Sequence, residues 1–174
     1  MADFVPRLTD YGIQGNPYWY ANNPFYNAGY GLPNCTCYAW GRFWEEAGSE
    51  YRPLLSTGNA EDWFSYNDGY ERGSAPALGA VLCLADGPYS GDGHVAIVEQ
   101  INNDGSIVTS NSAYGGSYWY LQTLRAPNYL PVAGYRFQGF IYNPHSGGQP
   151  VPAGGRKIWY FKKILWKNEK DILL

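Results

Sequence analysis

Residues Pro33–Arg42 read P-N-C-T-C-Y-A-W-G-R. Asn34 is a favourable N-cap, and a helical pattern follows it directly. Ala39, Phe43 and Ala47 recur every fourth residue, Trp40 pairs with Trp44 in the same way, and Gly48 is a fitting stop. Cys35 therefore falls in the first turn of a short buried helix. There the backbone N–H groups are unpaired and the helix dipole is positive. Both favour thiolate over thiol, which is how a cysteine becomes a nucleophile. Buried cysteine is also a common small hydrophobe, so position alone leaves packing and catalysis both open.

Outward from this helix, 174 residues suggest one domain with a possible appendage. A 45% hydrophobic share supports a real core, and an 18% aromatic share suits sugar or peptide surfaces as well as a compact β-rich interior. Residues 1–155 hold six Arg, no Lys and 13 acidic groups, a net charge of −7, whereas residues 156–174 carry +4. That body is a poor match to nucleic acid. Three cysteines do not suggest a disulfide framework, and two His make a metal cluster unexpected. Neither a cofactor nor a metal is expected. The first ten residues hold no apolar run of the signal-peptide kind, and no stretch approaches a membrane span. The expectation is synthesis in a cytosol, with release by some other agent if the protein works outside.

Residues 1–33 read as an irregular but ordered arm that packs its aromatic residues on the core. Thr57-Gly58-Asn59 suggests the start of a second helix, with Ala60, Trp63, Phe64 and Asn67 on one face and Gly69 near its end. The period then changes to two. Strands are expected over Ala80–Leu84, His94–Glu99, Ser106–Asn111, Ser117–Thr123 and Val132–Ile141. Asp86 to Gly93 is a long turn, and Asn102–Gly105 a hairpin loop. Helices first and an antiparallel sheet of about five to six strands afterwards make an α+β domain. Residues 143–155 have linker composition, and 156–174 form a basic aromatic tail. That tail is either an amphipathic segment that contacts an anionic envelope or an element docked on the body.

His94 opens its strand at the edge of a cleft. If Asn102–Gly105 is a four-residue loop, Ile101 faces Ser106, Val98 faces Thr109 and Ala96 faces Asn111. His94, Thr109 and Asn111 then share a face, with Asn111 one diagonal from His94, roughly 7 Å at Cα. Glu99 lies on the opposite face. Parity thus nominates Asn111, rather than the nearest carboxylate, to orient the imidazole. Cys–His–Asn is a known hydrolytic arrangement.

These residues resemble the CHAP domain, the cysteine, histidine-dependent amidohydrolase/peptidase family. The resemblance rests on Asn34-Cys35-Thr36 with Tyr38-Ala39 and Gly41-Arg42, Gly58-Asn59-Ala60 with Trp63, Pro76–Val81, Gly93–Glu99, and Asn111 with Gly115-Gly116. Five motifs occur in family order over roughly residues 30–142, with the CHAP domain itself taken as 1–142. The resemblance implies a papain-like CHAP fold and a cysteine-dependent peptidoglycan amidase or endopeptidase, of the phage endolysin or virion-associated lysin type. It implies Cys35 as nucleophile, His94 as base, Asn111 as third member, and Asn34 beside the oxyanion. Tyr114 and Trp119 are candidate substrate contacts. Many relatives carry Glu at the position of Thr109 and Trp at that of Ser112. Residues 16–34 contain no Asp or Glu, so the calcium loop of some relatives is absent. The implied partner is bacterial peptidoglycan. Two other classes fit the same residues: a virion structural or wall-binding protein with weak catalysis, and a different papain-like amide hydrolase.

Overall fold

A computed structural model describes residues 4–48, 50–88 and 91–151. Two α-helices, α1 (Pro24–Asn27) and α2 (Cys35–Ala47), precede six strands. These are β1 (Arg72–Gly73), β2 (Val81–Asp86), β3 (His94–Ile101), β4 (Ile107–Asn111), β5 (Tyr120–Leu124) and β6 (Tyr135–Ile141). They form one antiparallel sheet in the order β1-β6-β2-β3-β4-β5. The fold is α+β.

Strand alternation divides the core between the two faces of the sheet. Val81, Cys83, Val95, Ile97 and Ile141 pack with Cys37, Ala39, Trp40, Phe43 and Trp44 of α2. Leu82, Leu84, Val98 and Phe140 pack with Leu124 and Tyr129 on the other side. The N-terminal arm is ordered, with Ile13, Trp19 and Phe25 buried. Trp19 Nε1 donates to the Tyr38 carbonyl at 3.0 Å, and Trp19 fills the space where a side chain at Gly41 would lie.

The expected second helix does not form. Only Ala60–Asp62 is helical, as one 3₁₀ turn. The local polar groups satisfy the backbone differently. Asp68 accepts from the N–H of Tyr70, and Arg72 donates to the carbonyls of Trp63, Phe64, Tyr66 and Tyr70. One guanidinium thus serves carbonyls that a continued helix would have paired.

The hairpin between β3 and β4 also differs from the expected one. Ile101 pairs with Ile107, not Ser106, and Gln100 pairs with Val108. Ser106 belongs to the loop because Asp104 Oδ1 captures both its N–H at 2.9 Å and its hydroxyl at 2.6 Å. Beyond a bulge at Glu99, Val98 pairs with Thr109 and Ile97 with Ser110, which is the register expected near His94. β5 starts at Tyr120 rather than Ser117, since the N–H of Ala113 closes a turn on the Ser117 carbonyl. β6 starts at Tyr135 rather than Val132.

Residues 143–151, the described part of the segment with linker composition, lie against the body. Asn143 Nδ2 donates to the Phe43 carbonyl at 2.9 Å, Ser146 Oγ to that of Leu78 at 3.0 Å, and the Val151 N–H to that of Pro76 at 2.8 Å. The basic tail, 156–174, lies outside the described residues.

Candidate active site

Asn34 caps α2 from an extended backbone, its Oδ1 accepting from the N–H of Thr36 at 2.9 Å and of Cys37 at 3.4 Å. The same oxygen accepts from the Thr36 hydroxyl at 2.7 Å. That commits the oxygen to the helix and leaves only Nδ2 to donate to a substrate. Cys35 follows, half-buried at the helix start.

His94 is the first residue of β3. Gly93 before it has φ +78°, and a Cβ there would run into the Leu84 carbonyl and the backbone of Glu61. Only glycine lets the turn close this tightly and present the imidazole at the strand's start. The imidazole and the Cys35 thiol lie close enough to shift each other's titration. The ring Nε2 lies 3.1 Å from Asn111 Oδ1. An amide oxygen only accepts, so Nε2 carries the proton and Nδ1 is left for the sulfur. The amide orientation is fixed in turn. Asn111 Nδ2 donates to the Thr109 carbonyl and to Thr109 Oγ1, both at 3.0 Å. The Thr109 hydroxyl donates onward to the Gln122 carbonyl at 3.3 Å.

The electrostatics of the three thiols differ. Burial alone would push the Cys35 thiol up, but the hydrogen bond and charge of His94 and the N–H groups of Val95 and Thr36 outweigh it and hold the pKa below its usual value. Burial likewise works against a charged His94. The bond to Cys35, the thiolate charge and Asn111 outweigh that and raise its pKa. Both shifts favour a thiolate–imidazolium pair. Burial pushes Cys37 up to about 12, and its Sγ bonds the Trp19 carbonyl at 3.6 Å. Burial also raises Cys83.

Cys35, His94 and Asn111 are thus brought together, with Asn34 beside them. Glu99 is elsewhere, bonded to Arg42 on α2 and to Ser110 Oγ at 2.7 Å. Tyr114 stands 74% exposed on the turn after β4. Trp119 is half-buried and donates to the Tyr38 hydroxyl at 3.0 Å, which ties it to α2. Two site residues carried no signal of their own. Ser112 Oγ accepts from the Asn34 N–H at 3.0 Å and so joins the start of α2 to the end of β4. Tyr135 places its ring 6.2 Å from that of His94. Among the described residues, no group of three or more His, Cys, Asp or Glu is arranged to hold a metal ion, and no helix is long and apolar enough to cross a membrane.

A family model described as "CHAP domain" matches residues 25–113. The probable autolysin SsaALP of Staphylococcus aureus (strain NCTC 8325 / PS 47) is 35% identical over 130 residues, which is 72% of this chain and 44% of that protein. The secretory antigen SsaA of Staphylococcus epidermidis is 39% identical over 83 residues, or 47% of this chain and 29% of that one. A crystal structure of an N-acetylmuramoyl-L-alanine amidase from Staphylococcus aureus superposes with a TM-score of 0.46 at 27% identity, covering 62% of this chain and 30% of the amidase. The chain therefore spans less than half the length of these relatives.

Proposed function

The chain belongs to the CHAP domain family, and from that premise we propose that it is a peptidoglycan hydrolase that cuts an amide bond of the bacterial wall with Cys35 as nucleophile. The observation that carries the proposal is the connected set Cys35–His94–Asn111, in which the thiol is lowered and the imidazole raised toward an ion pair. The thiolate attacks the amide carbonyl. The Cys35 N–H at the helix start, together with Asn34 Nδ2, receives the oxyanion. His94 gives its Nδ1 proton to the leaving amine, and the neutral ring then draws a proton from the water that hydrolyses the thioester. Asn111 holds the ring in the tautomer this sequence needs. Tyr114, exposed on the turn after β4, supplies an aromatic face for substrate.

The bond is either muramoyl–alanine or one within the stem or cross-bridge. Its origin as a phage lysin, reaching the wall from a host cytoplasm or on a virion, is part of the same proposal and rests on the aromatic N-terminal arm. Wall clearance tests the reading. Loss of turbidity with the native chain and none with Cys35→Ala supports it, and mass spectrometry of the fragments names the bond from the new N-terminus. Binding without clearance favours a wall-binding virion protein, and cleavage confined to non-wall amides favours another papain-like hydrolase.

A further inference from the structure

Five of the six arginines among the described residues face a carboxylate. Arg7 meets Glu45; Arg42 meets Glu45, Glu46 and Glu99; Arg72, Arg125 and Arg136 meet Asp68, Asp104 and Asp86. Arg52 is the sixth, and no carboxylate among the described residues forms an ion pair with it. No Lys lies among these residues either. In an acidic body, Arg52 is the one arginine among the described residues without a carboxylate partner there.

It is exposed, with one ring contact to orient it. Its guanidinium carbon lies 5.6 Å from the centre of the Trp40 ring. It helps line a cavity of about 290 Å³ with Pro24, Trp40, Leu54, Leu55 and Thr57. That is near the lower end of small-ligand sites. The wall is fixed, since Pro53 and Leu55 are buried and the Leu54 N–H donates to the Tyr70 hydroxyl at 3.1 Å. The chain leading from it runs through Thr57 to Asn59, whose Nδ2 bonds Asp92 Oδ1 at 3.1 Å, two residues before His94. Trp40 and Cys35 share α2, about 7.5 Å apart along its axis and about 140° apart around it.

We propose that this cavity is a subsite for a free carboxylate of the peptide stem whose amide bond Cys35 attacks. It rests on the hydrolase reading above and extends it to substrate choice. Arg52 supplies a planar pair of donors for the carboxylate, and Pro24, Trp40 and Leu54 cover the adjoining apolar atoms. An amidated stem would lose the charge and half of the acceptor pair.

The test compares a soluble disaccharide–tetrapeptide whose peptide carboxylates are free with the same fragment amidated. For Arg52→Gln, KM for the free fragment should rise about tenfold with kcat unchanged, and KM for the amidated fragment should stay within about twofold. Arg52→Lys should recover part of the difference. An equal rise for both fragments would show a packing role and overturn the inference, as would no rise for the free one. If the native chain cleaves neither fragment, the hydrolase reading fails by itself. Calorimetric titration of both fragments into native and Arg52→Gln chains then decides the subsite: a charge-selective loss of about tenfold in affinity supports it, and equal affinities overturn it. A third arm uses poly(glycerol phosphate). Arg52-dependent binding of that polymer without binding of the free-carboxylate fragment would assign the cavity to phosphate and also overturn the inference.

Discussion

Replacing Glu99 with Gln separates two roles that a carboxylate five residues after the histidine could have. In the structure Glu99 accepts from Arg42 Nε and Nη2, both at 2.9 Å, from Ser110 Oγ at 2.7 Å and from the Arg7 N–H at 2.7 Å. Both side chains of the Glu99–Arg42 pair are buried, at 0% and 4% exposure. Removing one partner of such a pair costs about 3–5 kcal/mol, because the other charge stays buried. Arg42 keeps Glu45 at 2.8 Å and Glu46 at 3.4 Å, and Gln keeps the shape and one acceptor, so the lower end, about 3 kcal/mol, applies. For a chain of this size that lowers Tm by about 6–12 °C. The arm should loosen with it, since Arg42 Nη2 also holds the Val5 carbonyl at 2.7 Å. The assays are thermal unfolding, hydrogen exchange at residues 4–11, and kinetics at a temperature where the variant is folded. There kcat and its pH profile should match the native chain within about twofold. An unchanged Tm with a tenfold or greater loss of kcat would refute the reasoning and put Glu99 in contact with His94 during turnover.

The three thiols should react in the order of their surroundings: iodoacetamide near neutral pH labels Cys35 first, and Cys37→Ala and Cys83→Ala keep wall clearance while Cys35→Ala does not. The native pH–rate profile should be bell-shaped. Its acid limb lies below the ordinary thiol value because Cys35 is lowered, and its alkaline limb above the ordinary imidazole value because His94 is raised. Asn111→Ala removes one of the interactions that raise His94, so the alkaline limb should move to lower pH and kcat fall by about 10–100-fold, with Cys35 labelling retained; an unmoved limb would count against an orienting role. Truncation after Val151 keeps the contacts of Asn143 and Ser146 while removing the basic aromatic tail. Cleavage of soluble fragments should persist and whole-cell binding weaken, an effect that shrinks as salt rises; equal binding would assign the tail to another role.

The helix of Cys35, the strand of His94 and the pairing of Val98 with Thr109 were legible because each is a local pattern: a cap, a four-residue period and an alternation. The short stretch after Asn59 was not. Its apolar spacing suits a helix, but Asp68 and a distant Arg72 offer its backbone better partners, and side-chain capture of carbonyls leaves no periodic trace. Asn111 was found by parity, although the loop that parity assumed is one residue longer. Thr109 and Ser112 read only as departures from the usual residues at their positions. Their tasks, fixing the Asn111 amide and tying β4 to the helix cap, depend on backbone atoms of other segments that the sequence does not show meeting.

The bulge at Glu99 works as a mechanical clutch between the hairpin tip and the end of the same two strands that carries His94 and Asn111. On the tip side the pairing follows the loop, and on the far side it follows Val98 and Thr109. A change of loop length at 102–106 can therefore be taken up where the spare residue already sits, without sliding Asn111 past His94. The tip then becomes a site where extra sequence can be grafted, such as an affinity tag or a heterologous wall-targeting peptide, while His94 and Asn111 stay in step.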